Sequence, residues 1–378
     1  MMRSSNWGML SLIALCAIGC APTPAERNSV RIWDLNTLTK SQDIVDPPPV
    51  KPIQRTEAVA HRPGSVAIWT HPTNASESLI IGTDRSRSGG LVVFGLDGKP
   101  LQSIPVRLPY GVQVLPTFDF GRRRIDIVAV IERDTNRLRV FGINTKKRLL
   151  WEVTGDTELL SDTSRASRGA MGLSLYQVDR KTYAIVSRKS NLDDRGILEV
   201  YALTASEGRV NAKRVGQFGA FARRGLVEAI TTDNYNGAVF YFDPDAGIRK
   251  YPILTSNPKE LYRFGKSGWA LKCIALGTYP GATPGSGFIV AADYQSHETI
   301  LRLFKRKGMI DQPYSHLEIP LRPTLTSQRA SGMAITPQPI PSFPEGMLVI
   351  GSEATGTYDL YSWRDIRTQH GSSDASLR

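Results

Sequence analysis

The feature that most constrains this chain is a three-strand pattern that recurs six times from Val66 onward. Each copy has an apolar strand, a loop, a second strand almost continuous in apolar residues, a polar loop, and a third strand rich in aromatic residues or Leu. The first copy reads SVAIWTHP, SLIIGTD, GLVVFGL; the fourth reads LVEAITTD, GAVFYFD, GIRKYPI; the sixth reads GMAITPQ, GMLVIGS, TYDLYSW. Copies starting at Val66, Val112, Leu173, Leu226, Leu271 and Met333 lie 46, 61, 53, 45 and 62 residues apart. That spacing suits four-stranded blades and is too long for the coil of a solenoid. The unbroken apolar second strand is what a strand covered on both faces by neighbouring blades requires. The pattern predicts an all-β fold, a six-bladed β-propeller of four-stranded antiparallel blades. LQSIPV, RLLWEVTG and YSHLEIP read as outer fourth strands. None follows the sixth copy, so residues 56–60 are expected to complete it and close the ring.

The chain upstream reads differently. Arg3 precedes a largely apolar stretch from Trp7 to Ile18, too short to span a bilayer but the length of a signal-peptide core. It ends in Ala17-Ile18-Gly19-Cys20, and APTPAE follows. This resembles a bacterial lipoprotein signal, which implies cleavage before Cys20, lipidation of Cys20 and a membrane anchor. Ala21, in place of an Asp that retains lipoproteins at the inner membrane, directs the expectation to the outer membrane. A secreted protein cut elsewhere is the other reading. Residues 1–19 are then the signal, 20–56 a lipidated Cys and Pro-rich tether, 57–366 the propeller and 367–378 a tail. Of the three cysteines only Cys273 would remain with a free thiol, within the apolar ALKCIAL, as a core residue.

The 47 Lys and Arg exceed the 35 Asp and Glu by twelve, which favours anionic partners. In an antiparallel blade, the loop between strands two and three emerges where strand one begins. The basic clusters Arg122–Arg124, Lys146–Arg148 and Lys305–Lys307 fall on the opposite face and read as a solvated rim. They lack interleaved aromatics, and the chain carries an export signal, so nucleic acid is not an expected partner. The first face carries mixed charge: Asp84, Arg85 and Arg87; Glu132, Arg133 and Asp134; Arg188, Lys189, Asp193 and Asp194; Asp243 and Asp245; Asp293, His297 and Glu298; and Glu353. Carboxylates and guanidiniums around a channel mouth suit an anionic ligand, with or without a hard cation. Polar hairpin tips without function give the same composition.

Ala67-Ile68-Trp69-Thr70-His71-Pro72, then SLIIGTD with Gly89-Gly90-Leu91, then LDGKPLQSI and, near the end, FPEGMLV, resemble the β-propeller phytases. The similarity extends over about residues 57–363 in the family's order. The resemblance implies a calcium-dependent phosphomonoesterase that removes phosphates from inositol hexakisphosphate. In that family acidic or amide residues opening each first strand hold calcium at the channel mouth. This chain has Gly64-Ser65-Val66, Tyr110-Gly111-Val112-Gln113, Ala170-Met171-Gly172, Lys272 and Ser331 at those places. Glu228 keeps its carboxylate, and Asp243 stands near a family Glu-Glu pair. The resemblance therefore assigns Glu228 and Asp243 as catalytic, Glu228, Asp243 and Asp293 as calcium ligands, and Arg85, Arg188 and Lys189 as phosphate-binding.

Three functions stay open on the residues. The first is a phytase-type phosphatase acting on a phosphorylated small molecule, with its metal held by loop acids Asp84, Glu132, Asp243, Asp293 and Glu353. The second is a non-catalytic propeller that binds an anionic ligand at the cell envelope. The third is an unrelated hydrolysis on a similar ring, for which the sequence shows no Ser-His-Asp order. His71, in the family string, reads as structural. A monomer is expected.

Overall fold

The computed structural model of the protein describes residues 47–161, 169–189, 196–221, 226–253, 255, 257–308, 315–320 and 322–369. Cys20, the signal, the Asp193–Asp194 pair and residues 370–378 lie outside them. The described chain forms six sheets of four antiparallel strands, each a blade. The first strands of the blades are Pro63–Trp69, Pro109–Phe120, Ala170–Val178, Ile230–Asp233, Cys273–Pro280 and Ala330–Thr336. Each packs beside the first strand of the next blade, and the first blade's meets the sixth's, so the ring is closed. The expected six-bladed β-propeller is the observed one.

Burial follows the repeat. Six apolar clusters fill the six seams between blades. Leu79, Ile80 and Ile81 in the second strand of blade 1 are fully buried, with Ile81 in one seam and Ile80 in the next. Alternating side chains of one strand thus serve two cores, which explains its continuous apolar run. Cys273 is buried in the seam between blades 4 and 5, and burial pushes its thiol well above the usual range.

The ring closes slightly earlier in the chain than residues 56–60. Gln54–Arg55 pairs with Leu360 and Asp359 as the fourth strand of blade 6, and the N–H groups of Thr56 and Val59 bond the carbonyls of Tyr358 and Gly356. Pairing begins at Ile53, whose N–H bonds the Leu360 carbonyl, because Pro52 has no donor. Upstream, Val50 bridges Leu325, so this end of the expected tether lies on the ring. Blade 5 also differs. Glu318 only bridges Phe304, and the fourth strand is Thr324–Leu325, beyond Pro320 and Pro323, which interrupt the ladder.

Tyr358 latches the seam between blades 6 and 1. Its hydroxyl donates to the Thr83 carbonyl at 2.7 Å and accepts from the Gly64 N–H at 3.1 Å. Its ring lies over Gly82, where a Cβ would come within 2.1 Å of it, so only glycine fits there.

Candidate functional site

At one end of the axis a narrow cavity of about 50 Å³ is ringed by one residue at or just before the start of each blade's first strand: Ser65, Gly111, Met171, Glu228, Ile274 and Ser331. Except in blade 5, where the position is Lys272 rather than Ile274, these are the positions where the resemblance calls for calcium-holding acids. Glu228 is the acid and Arg85 the base among the residues lining this cavity. The opposite end opens into a space of about 620 Å³ lined by uncharged residues such as Thr70, Ser174, Thr232 and Gln338. The charged end is the one where the first strands begin.

Cations crowd that mouth. The guanidiniums of Arg85 from blade 1 and Arg133 from blade 2 lie 5.5 and 4.9 Å from the centre of the Tyr110 ring, which also lines the cavity. Arg133 and Lys189 both border Gly169, so blade 3 adds its exposed lysine to the same rim. Lys272 of blade 5 reaches Glu228, with Nζ 3.4 Å from Oε2. Glu353 of blade 6 accepts from Arg62 and Arg85 at 2.9 Å each and faces Arg329 at 3.6 Å. One carboxylate among three guanidiniums leaves net positive charge there. Stacking on Tyr110 holds the Arg133 fork in place as well as that of Arg85, which also donates to Glu353.

The other acids expected at the site do not reach it. They sit near the ends of second strands, where each satisfies backbone donors of its own blade. Asp84 accepts from the Arg62 N–H, Glu132 from Arg107, and Asp293 from Ala270. In each case the donor lies just before the first strand, so the carboxylate ties the blade's entry to its second strand. Asp243 is fully buried, accepts from the Asp245 N–H, and takes Arg249 Nε at 2.7 Å. Burial pushes the Asp293 carboxyl above its usual range. Burial also pushes at Glu132, but Thr135, the Arg107 N–H and Arg139 hold its carboxyl lower than usual.

Arg188 occupies the same strand-end position in blade 3, and it too is fully buried, donating to the Gly196 carbonyl. The structure therefore places Arg85 and Lys189 at the rim and Arg188 inside the blade. Lys305–Lys307, expected as solvated, is divided: Arg306 is buried on Asp233 at 2.7 Å. His71 is structural, its Nδ1 accepting from the N–H groups of Thr73 and Asn74. The sequence reading missed Tyr110 as the platform between two guanidiniums; its place directly before Gly111 was the available signal.

The donor set does not fit the calcium that the resemblance implies. Among the described residues no three His, Cys, Asp or Glu side chains gather into a group able to hold a metal ion. Of the three expected ligands, Glu228 carries a lysine, Asp243 an arginine and Asp293 two contacts from one backbone N–H. A hard cation needs several uncommitted oxygens at one point.

Comparison with known proteins bears on the ring and on the family. Two solved structures align with TM-scores of 0.50. The major allergen Mala s 1 of Malassezia sympodialis is 12% identical, covering 81% of this chain and 93% of that one. AofleA of Arthrobotrys oligospora is 9% identical, covering 78% and 80%. These likenesses concern the fold alone. The 3-phytase of Bacillus subtilis (strain 168) is 29% identical over 191 residues, 49% of this chain and 46% of that protein, so the match spans about half the relative's length. The phytase family model matches residues 29–311. The chain belongs to the phytase family.

Proposed function

We propose that the protein takes a phosphorylated small molecule at the axial mouth, its phosphates held by guanidinium and ammonium groups rather than through calcium. The observation that carries this is the pair Arg85 and Arg133, from adjacent blades, both set over Tyr110 at the rim. Guanidinium forks match phosphate oxygens bidentately. Lys189 and Lys272 extend the positive rim to blades 3 and 5, so a ligand bearing several phosphates spans more of it than a monophosphate does. Family membership supports an inositol phosphate as the ligand class and phosphomonoester hydrolysis as the reaction. In the hydrolytic reading Glu228 is the residue placed to handle a proton at the cavity, with Lys272 Nζ 3.4 Å from its Oε2. Asp243, buried on Arg249, has a structural part.

The reading also includes a lipid anchor at Cys20, an envelope location directed to the outer membrane by Ala21, and a monomeric ring. The support for the anchor is the small-residue Ala17-Ile18-Gly19-Cys20 string after an apolar core.

Calorimetric titration with inositol hexakisphosphate in EDTA tests the binding. Saturable binding is expected, weakened at least about tenfold when Arg85 and Arg133 are both changed to Ala. Absence of binding in EDTA, or affinity indifferent to both arginines, refutes it. Phosphate release measured on the same samples separates the two outcomes for function. Release that disappears in Glu228→Gln identifies an enzyme, and tight binding without release identifies a binding propeller.

A further inference from the structure

We propose that Asp84, His61 and Ser88 form a second reactive site on blade 1, with Ser88 as a nucleophile toward small carboxylic esters that carry an apolar group. His61 Nδ1 lies 2.8 Å from Asp84 Oδ2, and Ser88 Oγ lies 3.1 Å from His61 Nε2. Asp84 is 3% exposed, and its Oδ1 accepts the Arg62 N–H at 2.9 Å, which fixes the carboxylate. In the neutral ring a carboxylate beside Nδ1 holds the proton there, and Nε2 then presents its lone pair to the serine hydroxyl. Nucleophile, base and orienting acid thus stand in hydrogen-bonded sequence. The chain order is His, Asp, Ser, contributed by the segment entering the first strand and by the loop after the second. That order is why a linear search for Ser-His-Asp finds nothing.

The surroundings suit access by a ligand. Ser88 is followed by Gly89 and Gly90, where a Cβ would come within 2.0 Å of the carbonyls of Asp84 and Ile104. The two glycines let the loop fold back tightly. Ser88 then lies at the wall of a cavity of about 430 Å³ whose lining includes Val59, Leu91, Phe94, Ile104 and Pro105. This size is within the usual range of small-molecule sites, and the lining favours an apolar acyl or alkyl group.

The chemistry balances without a cofactor. Ser88 Oγ forms a bond to the ester carbonyl carbon as its proton passes to His61 Nε2. The carbon–oxygen bond to the alcohol then breaks, and His61 returns that proton to the leaving oxygen. Water repeats the two steps on the acyl-serine, releasing the acid and restoring Ser88. Asp84 stabilises the imidazolium at each stage. Ser86 Oγ, 3.1 Å from Ser88 Oγ, is the neighbouring side-chain hydroxyl available to a developing oxyanion. A single hydroxyl is a weak oxyanion site, so slow turnover is expected.

The site is distinct from the axial mouth, and its test does not depend on phosphate binding. The full-length protein is treated with an alkyl fluorophosphonate, and the adduct is located by mass spectrometry. In parallel, p-nitrophenyl butyrate hydrolysis is followed. One adduct is expected, on Ser88, absent in Ser88→Ala. Its rate of formation and the ester turnover fall at least about 100-fold in His61→Gln, with the melting curve and the affinity for inositol hexakisphosphate unchanged. No adduct on Ser88 of the folded protein, or equal labelling of His61→Gln, overturns the proposal and leaves the three residues as a loop staple only.

Discussion

Lys272 Nζ lies 3.4 Å from Glu228 Oε2, so the carboxylate facing the axial cavity has an ammonium group as its neighbour. In the resemblance to the β-propeller phytases, glutamate stands at the lysine's position. A second carboxylate there would draw a cation; a lysine removes that demand and adds to the positive rim. On the proposed reading the substitution changes which ion the mouth prefers.

Lys272→Glu tests this preference directly. Reversing one charge beside Glu228 is expected to weaken inositol hexakisphosphate binding in EDTA about tenfold at low salt. It is also expected to introduce calcium binding in the millimolar range, because two carboxylates then face one point. Lys272→Met should lose affinity for the anion without gaining calcium. Calorimetry in each ion measures both, and unchanged titrations in all three proteins would contradict the charge argument.

The latch at Tyr358 governs ring closure. Tyr358→Phe leaves the buried Thr83 carbonyl and Gly64 N–H without their shared hydroxyl, at a cost of about 1–3 kcal/mol. The urea midpoint should fall with the slope unchanged. Gly82→Ala should cost more, since its Cβ would overlap the Tyr358 ring.

A pH dependence follows from His316. It is 4% exposed, its Nδ1 donates to the Lys305 carbonyl at 2.8 Å, and its Nε2 accepts from Lys250 Nζ at 3.0 Å. Burial first, and then the charge of Lys250, bring its pKa down to about 4. The unfolded histidine titrates near 6.5, so between those values the unfolded chain binds a proton that the folded chain refuses. The resulting stability is complete above pH 6.5 and is lost as pH falls toward 4, by up to about 3 kcal/mol. Burial also lowers the Lys250 pKa, in the same sense. Urea midpoints at pH 7.5, 5.5 and 4.5 should fall less steeply for His316→Gln than for the wild type.

The proposed anchor has a simple readout. Cys20→Ser should move the protein from the detergent phase to the aqueous phase on Triton X-114 partition of expressing cells. The wild type should label with a palmitate analogue and the variant should not. Equal partition of the two forms would refute lipidation at Cys20.

The ring was legible in the sequence because six nearly continuous apolar strands, each needing cover on both faces, recur at blade spacing. Its edges were less so, because Pro52, Pro320 and Pro323 move the outer pairings by a few residues. The charged residues were harder still. Asp84, Glu132 and Asp293 have the composition of a metal site, yet each is committed to a backbone donor before its own first strand. Arg188 and Arg306 read as surface charges, although both are buried. Their distinguishing partners lie far along the chain: Asp233 is 73 residues from Arg306. Arg85 was recognisable because the loop that carries it opens onto the mouth. Tyr110, its platform, is an aromatic where the resemblance has an amide, and only the fold shows two guanidiniums meeting on it.

The most direct test of the cationic mouth is a crystal structure of the protein with inositol hexakisphosphate, grown in EDTA. The expected result is phosphate density at the axial opening, within hydrogen-bond distance of Arg85 and Arg133 and with no metal between them. Ligand density only at another surface, or phosphates that appear at the mouth solely after calcium is restored, would contradict it.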